Sequence, residues 1–177
     1  SAADLLGRRI IKPDFANVAE KIKDKNVLVT GAAGSIGSEI CRQIIKLSPR
    51  SLIALDQNET GIFNLLSRIK EENKEIVCRG VVGDVRDAYK INNVFDTFKP
   101  NLVFHAAAYK HVPLMEEFPE EAVKTNIFGT INLLEVSEKN KIERFVLIST
   151  DKAVSPNSVM GATKRIAEMA VCDFNKK

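Results

Sequence analysis

The stretch Val27-Leu-Val-Thr-Gly-Ala-Ala-Gly-Ser-Ile-Gly37 runs from a short apolar segment into a turn that contains three glycines. Gly31, Gly34 and Gly37 have the spacing G-x-x-G-x-x-G, and a helical pattern follows them. In such a turn the first glycine permits the sharp bend, the second lets backbone N–H groups approach a pyrophosphate, and the third brings the helix close to the sheet. The pattern alone also fits a plain strand-to-helix turn. With the helical pattern that follows it, the glycine spacing predicts a dinucleotide site that also includes Ala33, Ser35 and Ile36.

On both sides of this turn the sequence divides into a short leader and a domain of alternating elements. Short apolar runs predict strands at Val27–Thr30, Leu52–Leu55, Ile76–Val82, Leu102–His105 and Phe145–Ser149. Amphipathic stretches predict helices at Ser35–Leu47, Glu59–Glu72, Asp87–Phe98, Glu120–Lys139 and Ser158–Phe174. This alternation predicts an α/β fold, a Rossmann-like doubly wound parallel sheet with helices on both faces. Residues 1–25 form the expected polar leader with a short helix from Phe15 to Lys23, and residues 26–177 form the expected NAD-binding domain.

Composition excludes several classes of protein. The 177 residues have a net charge of +3, with 45% hydrophobic and 28% charged residues, which is ordinary for a folded soluble domain and not for a disordered chain. Basic residues are spread along the chain without interleaved aromatics, so no nucleic-acid partner is expected. The three cysteines are far apart, so neither a disulfide framework nor a metal site is expected. Without a membrane-spanning run or a signal peptide, we expect the segment to be cytoplasmic.

Acidic residues follow the second and third predicted strands. Asp56 lies 19 residues after Gly37, near the spacing at which an acid binds the adenosine ribose, and no arginine follows it directly. This favours NAD over NADP, although Asp56 could also be a helix N-cap. Asp84 could accept a hydrogen bond from the adenine amino group and Val85 could pack on the ring, while a simple turn residue is the alternative for Asp84.

The ends of the fourth and fifth predicted strands carry the remaining candidates, because ligands of open α/β sheets bind at the carboxyl ends of the strands. The small residues Ala106, Ala107 and Ala108 allow a flat cofactor to lie close to the backbone. Lys110 and His111 could bind substrate or belong to a solvated loop. Asn126, on the next helix, could contact the cofactor or be a satisfied core amide.

The fifth strand leads into Thr150, Asp151 and Lys152, which could surround a ligand. Met160 and Lys164 are four residues apart on the following helix, so they share a face that can point back at the strand end. The alternative is a capping threonine and a surface Asp–Lys pair.

Five motifs occur in order: Gly34-Ser-Ile-Gly-Ser-Glu39, Gly83-Asp-Val-Arg-Asp87, His105-Ala-Ala-Ala-Tyr-Lys-His-Val-Pro113, Ser149-Thr-Asp-Lys-Ala153 and Met160-Gly-Ala-Thr-Lys-Arg165. With them the chain resembles the extended short-chain dehydrogenase/reductase superfamily, and within it the nucleotide-sugar dehydratases of bacterial polysaccharide biosynthesis. More narrowly, it looks like the long-form UDP-N-acetylglucosamine 4,6-dehydratases. Met160 stands where the superfamily usually has tyrosine, and long-form members also carry methionine there.

The resemblance implies a lyase that uses NAD for internal redox: the sugar is oxidised at position 4, water leaves across positions 5 and 6, and NAD ends as it began. It implies Asp151 as general acid, Lys152 as the base at position 5, Thr150 as the anchor of the reacting hydroxyl and Lys164 as a ligand of the nicotinamide ribose. Met160 cannot exchange a proton, so the base for the 4-hydroxyl is not identified. Asp151 or a bound water is the hypothesis for that step.

The resemblance also implies a longer parent protein. Family members continue into a C-terminal region that holds the UDP-sugar, and long-form members carry an N-terminal membrane anchor, so we expect this chain to be a fragment of an enzyme held at the inner face of the bacterial membrane. A homo-oligomer is common in the superfamily. The alternatives are a nucleotide-sugar epimerase of the same branch and a non-catalytic dinucleotide-binding module.

Overall fold

The fold is a five-stranded parallel sheet with helices on both sides. The structure is a computed structural model that describes residues 15–73 and 76–174, so the predictions for leader residues 1–14 and for the last three residues fall outside the described part of the chain. The strands are β1 (Asn26–Thr30), β2 (Ser51–Asp56), β3 (Cys78–Val82), β4 (Leu102–His105) and β5 (Arg144–Leu147). Their order in the sheet is β3-β2-β1-β4-β5, and all neighbours pair in parallel. The predicted doubly wound sheet is therefore confirmed.

Helices surround this sheet. They are α1 (Phe15–Ile22), α2 (Ser35–Ile44), α3 (Glu59–Glu72), α4 (Ala88–Phe98), α5 (Val112–Glu117), α6 (Pro119–Ala122), α7 (Gly129–Lys139) and α8 (Val159–Phe174). A 3₁₀ turn (Ile45–Leu47) extends α2, and another (Asp151–Ala153) follows β5. Asp87 caps α4, because its Oδ1 accepts from Lys90 N at 2.9 Å.

Alternate side chains of the central strands feed two separate hydrophobic clusters. Val27, Val29 and Ala54 pack with side chains of α2 and α3. Leu28 and Ile53 point to the other face, where α4 and α7 cover them. This alternation buries both faces of β1 and β2, as their continuous apolar character predicts. The clusters fix the carboxyl ends of β1, β2 and β4 at one edge, where the site lies.

Two outer strands depart from the expectation of full burial. Val82 of β3 is 47% exposed and Val146 of β5 is 38% exposed, because each strand lies at an edge of the described sheet and has a neighbour on only one side. The strand predicted at Phe145–Ser149 also ends earlier, at Leu147. Of its last two predicted residues, Ile148 still donates its N–H to His105 O at 2.9 Å, and Ser149 donates from Oγ to Glu168 of α8.

The helix predicted at Glu120–Lys139 is divided into three parts. Between α6 and α7 the segment Val123–Phe128 is π-helical. The helix α5, with Pro113 in its first turn, is a further difference, because no helix was predicted between residues 105 and 120. Within residues 15–73 and 76–174, every helix is too short or too polar to span a bilayer.

Candidate functional site

Packing within the protein requires two of the three glycines in the turn between β1 and α2. The third leaves space beside a cleft. Gly31 has φ +68°, and a Cβ on it would collide with backbone atoms of Ala106 and Ala107. A Cβ on Gly37 would collide with the backbone of Gly31 and Ala32. A Cβ on Gly34 would meet only the Gly31 carbonyl oxygen, at 3.3 Å. Packing within the protein thus requires Gly31 and Gly37, whereas Gly34 leaves space on the side of a cleft.

That cleft follows the carboxyl edge of the sheet. Most of the predicted cofactor-binding residues line it, namely Gly31, Gly34, Ser35, Ile36, Gly37, Asp56, Asp84, Val85, Ala106, Ala107 and Ala108. The first turn of α2 opens beside it, and the N–H groups of a first helical turn have no intrahelical acceptor. A backbone cradle with room for close approach, next to a helix N-terminus, fits the pyrophosphate of a dinucleotide. The site therefore fits NAD on the donor groups that it presents.

Asp56 connects the end of β2 with the glycine turn. Its Oδ2 accepts from Ala33 N at 3.0 Å and its Oδ1 accepts from Asn58 N at 2.9 Å. Ala33 therefore acts in this structure through its N–H group on Asp56, and it does not line the cleft. The N-cap of α3 is Asn58, which accepts from Gly61 N, so the alternative interpretation of Asp56 as that cap is wrong. Each carboxylate oxygen keeps a second lone pair for a ribose hydroxyl.

Asp84 lies at the far end of the same cleft. Its Oδ1 accepts from Arg86 N at 2.8 Å, so it is a turn residue as well as a lining residue. Burial alone would raise the pKa of this carboxyl, but the hydrogen bonds and charge of Arg86 together lower it. Val85 is buried, and its methyl group lies against Gly129 of α7, where a Cβ would approach it to 2.6 Å.

A second cleft adjoins the first and contains the residues after β5. Thr150, Lys152, Met160 and Lys164 line it together, and Ile36, Ala106, Ala108, Tyr109 and Lys110 line both clefts. The two clefts are thus continuous, and Lys110 lies where they join. His111 is exposed at the N-terminus of α5 and lines neither cleft, so its predicted contact with substrate has no support from its position.

Lys164 is the most deeply placed ionisable group of the second cleft. Its side chain is buried, and Nζ donates to the carbonyl oxygen of Ile148 at 2.7 Å. Burial lowers the pKa of this ammonium to about 8, against the opposing charge of Glu168. Glu168 accepts from Ser149 Oγ at 2.6 Å, which ties α8 to the end of β5 a second time. Sequence reasoning did not identify Glu168.

Asp151 and Lys152 form the surface Asp–Lys pair that was the alternative to a ligand-binding role. Asp151 is 86% exposed, and its Oδ1 accepts from Thr150 Oγ1 at 2.9 Å and from Lys152 Nζ at 3.3 Å. The hydrogen bond from Thr150 and the neighbouring Lys152 lower the pKa of the Asp151 carboxyl. Thr150 also caps the 3₁₀ turn by accepting from Lys152 N. Asp151 therefore lies outside the second cleft, whereas its neighbours in sequence, Thr150 and Lys152, line it.

Met160 and Lys164 share one face of α8, as predicted, but they have different surroundings. Met160 is 3% exposed and packs with Met115 and Ala122 of α5 and α6. The thioether therefore anchors α8 to these helices at the wall of the second cleft. It supplies no proton donor at the position where the superfamily usually has tyrosine.

Asn126 is buried away from both clefts. Its Oδ1 accepts from Tyr109 N at 2.8 Å, and its Nδ2 donates to Tyr109 O and to Thr163 Oγ1, each at 3.0 Å. Both amide hydrogens are used, so the predicted contact with the cofactor is replaced by a structural role. Asn126 holds the loop after β4 against α8, and the π-helical segment places it there.

A buried histidine that sequence reasoning left without a role joins the strands under the cleft. His105 Nδ1 lies 2.6 Å from Thr30 Oγ1, and Nε2 lies 3.0 Å from Thr130 Oγ1. Thr130 donates its own hydrogen to Asn126 O, so Nε2 carries the proton and Nδ1 accepts from Thr30. Burial and the charge of Lys164 lower the pKa of His105 to about 3. The ring is a neutral link between Thr30 at the end of β1 and Thr130 of α7.

Comparison with known proteins agrees with this arrangement. Residues 27–177 match the family model described as "Polysaccharide biosynthesis protein". The probable polysaccharide biosynthesis protein EpsC of Bacillus subtilis is 49% identical over 99% of this chain, and the chain spans 29% of its length. The solved structure of Pen from Bacillus thuringiensis is 33% identical, with a TM-score of 0.80, over 86% of this chain and 46% of Pen.

An enzyme solved with the cofactor is also similar. The UDP-glucose 4-epimerase of Thermus thermophilus, in complex with NAD, has a TM-score of 0.71 and 25% identity, over 85% of this chain and 51% of the epimerase. The fold, the glycine turn and the matched family model point to one group of proteins. This chain belongs to the polysaccharide biosynthesis protein family, within the superfamily of nucleotide-sugar epimerases and dehydratases of the extended short-chain dehydrogenase/reductase type.

Proposed function

We propose that this chain is the NAD-binding part of a nucleotide-sugar 4,6-dehydratase that acts on UDP-N-acetylglucosamine. The observation that carries the proposal is the second cleft, where Thr150, Lys152 and Lys164 meet beside Met160. An acid–base pair is available next to this cleft, while the position of the usual tyrosine holds a side chain without a proton. This combination suits elimination of water, and with Met160 present the base for the 4-hydroxyl must be another group.

Each residue has a task that its position supports. NAD, when bound, supplies reversible removal of a hydride from a sugar carbon. The backbone of Gly31, Gly34 and Gly37 would hold its pyrophosphate, and Asp56 its adenosine ribose. Lys164, with Nζ already oriented by Ile148, would donate to the nicotinamide ribose. Thr150 would hold the reacting hydroxyl at the junction of the cleft with the 3₁₀ turn.

The surroundings of Asp151 and Lys152 must change before this pair can transfer protons. Asp151 is exposed, and its pKa is lowered by Thr150 and Lys152, whereas a general acid must carry a proton. A sugar that covers Asp151 and separates it from Lys152 would reverse both effects, since burial raises the pKa of a carboxyl and loss of a cation does the same. We therefore place the assembly of the acid and base in the sugar complex.

The first experiment is calorimetric titration of this chain with NAD and, separately, with NADP. We expect NAD to bind and NADP to bind weakly, because Asp56 opposes a 2′-phosphate. Equal binding of the two dinucleotides would contradict the role of Asp56. Binding of neither would remove the cofactor site from the proposal.

The second experiment follows the sugar by mass spectrometry, with this chain together with whatever sequence flanks it in the full protein. Loss of one water from UDP-N-acetylglucosamine is the expected result. Asp151→Asn should abolish that loss, because an amide cannot deliver the proton. Asp96→Asn is the matched control, since Asp96 is another exposed carboxylate paired with a neighbouring lysine, Lys99, and lies outside both clefts. Unchanged dehydration by Asp151→Asn would remove Asp151 from the role.

An epimerase is the second candidate, favoured by the similarity to the Thermus thermophilus UDP-glucose 4-epimerase. An epimerase would use the same cofactor site, but its product would have the mass of the substrate. A non-catalytic dinucleotide-binding module, for which Met160 is the argument, would give no new product. The same mass measurement therefore distinguishes the three functions.

A further inference from the structure

Asp84, which lines the first cleft, is held by an arginine that the proposed reaction does not use. Arg86 follows Val85 in the turn after β3, and its guanidinium forms an ion pair with the carboxylate of Asp84. Nε donates to Asp84 Oδ2 at 2.8 Å, Nη2 lies 2.6 Å from the same oxygen, and the backbone N–H donates to Oδ1 at 2.8 Å. Two N–H groups of Arg86 therefore donate to Asp84, one to each carboxylate oxygen, and Nη2 adds an ion-pair contact with Oδ2.

This ion pair restricts what else Asp84 can bind. An ionised carboxylate offers about four acceptor positions, and N–H groups of Arg86 occupy two of them, one on each oxygen. Asp84 lines the cleft and its side chain is 27% exposed, so a position that Arg86 leaves free can be reached by a ligand. A free lone pair on a fixed carboxylate accepts a donor and repels an acceptor.

Arg86 is itself held from two other elements. Its Nη1 donates to Glu121 Oε2 on α6 at 2.8 Å, and Glu121 is also paired with Lys124. From α7, Asn132 Nδ2 donates to the carbonyl oxygens of Val85 and Arg86 at 3.1 and 3.2 Å. The guanidinium is thus anchored at its far end and its backbone is anchored separately, so the Asp84 carboxylate has one orientation.

We propose that Arg86 is a positioning residue that sets the base specificity of the dinucleotide site, by holding Asp84 so that a free lone pair accepts from the amino group of adenine. The inference rests on the proposed cofactor site and deepens it. A purine with a carbonyl oxygen in place of that amino group would turn an acceptor toward the fixed carboxylate, because its hydrogen is on the adjacent ring nitrogen N1. A loosened Asp84 could turn away from such a base, so the discrimination depends on Arg86.

The test compares NAD with nicotinamide hypoxanthine dinucleotide, which has a carbonyl oxygen in place of the adenine amino group and a hydrogen on the ring nitrogen N1. Calorimetry of the wild-type chain should show a preference for NAD of roughly tenfold or more, the usual range for a hydrogen bond to a charged group. Arg86→Met should lose most of that preference. Arg86→Lys keeps a cation without the fork and should give an intermediate ratio. Asp84→Asn should lose or invert the preference, because an amide can donate to the carbonyl oxygen.

Arg42→Met is the matched control, since Arg42 makes a comparable forked pair with Glu39 on the surface of α2, away from Asp84. It should keep the wild-type ratio. Equal binding of both dinucleotides to the wild type would overturn the inference and leave the cofactor site standing. A wild-type ratio in folded Arg86→Met and Arg86→Lys would overturn the role of Arg86 alone. Binding of neither dinucleotide to the wild type would overturn the proposed cofactor site itself, and this inference with it.

Discussion

Gly34 and Gly37 are three residues apart, and substitution of each by alanine should have opposite consequences. A Cβ at Gly37 would collide with the Gly31 carbonyl group and come within 2.9 Å of Ala32 Cα, and these are backbone atoms that cannot move aside. A Cβ at Gly34 would meet only the Gly31 carbonyl oxygen at 3.3 Å, and φ −73° with ψ 165° is available to alanine. Gly37→Ala should therefore damage the fold, and Gly34→Ala should damage ligand binding.

The magnitudes follow from these contacts. Overpacking against backbone costs about 1–3 kcal/mol or more, so Gly37→Ala should lower Tm by roughly 2–4 °C for each kcal/mol lost in a chain of this size. Gly34→Ala replaces an N-cap glycine without a side-chain cap, which should cost less than about 1 kcal/mol. If the Gly34 methyl group displaces the pyrophosphate from the backbone, loss of one charge-assisted hydrogen bond weakens NAD binding by about tenfold to a hundredfold.

The assay combines urea unfolding with calorimetric titration of NAD for the wild type and the two variants. Gly34→Ala should unfold close to the wild type and bind NAD weakly, whereas Gly37→Ala should unfold at lower urea. Wild-type affinity for NAD in Gly34→Ala would refute the argument that Gly34 is a glycine for the sake of the ligand. A normal urea midpoint for Gly37→Ala would refute the packing argument for the third glycine.

Two further predictions concern the buried ionisable groups beneath the clefts. The pKa of His105 is about 3 in the folded state and 6.5 in the unfolded chain, so the unfolded state takes up a proton first. The free energy of unfolding should therefore fall by up to ~1.4 kcal/mol per pH unit as pH decreases below 6.5. His105→Asn should lose that slope between pH 6.5 and 5. Equal slopes in the variant and the wild type would contradict the assignment. Glu168→Gln should lower the pKa of Lys164 further below its present value of about 8, because the Glu168 charge raises it. NMR titration of the ¹³C-dimethylated lysines measures the pKa of Lys164. The control Glu39→Gln, on the surface of α2, should leave that pKa unchanged. An unaltered Lys164 titration in Glu168→Gln would show that the two groups are not coupled.

Features that depend on local sequence could be predicted, and features that depend on distant partners could not. The strand–turn–helix around Gly31 and the bounds of α3 follow from apolar periodicity and glycine spacing, which are local. The orientation of Asp84 depends on Glu121 and Asn132, which lie 37 and 48 residues further along the chain. No local pattern could reveal that dependence.

The same limit explains the differences in the helices after β4. The segment Val123–Phe128 carries a helical pattern, and the π turn within it is set by the tertiary bonds of Asn126 with Tyr109 and Thr163. The helix α5 is only six residues long and begins with proline in its first turn, so it lacks the periodicity that identifies a helix in sequence. His105 could be predicted as buried at a strand end, but its neutral state depends on burial and on the charge of Lys164, and its tautomer depends on which neighbour donates.

The two ends of the site differ in how completely this chain builds them. At the dinucleotide end the backbone of the glycine turn, Asp56 and the Arg86–Asp84 pair are already fixed by bonds within the chain. At the sugar end Lys164 is buried and oriented, but Asp151 is 86% exposed and outside the cleft. Cofactor affinity should therefore be a property of this chain without any sugar, whereas acid–base chemistry should require the sugar to cover Asp151. A pH profile of the reaction would then report an acid with a pKa raised above that of Asp151 in the free protein.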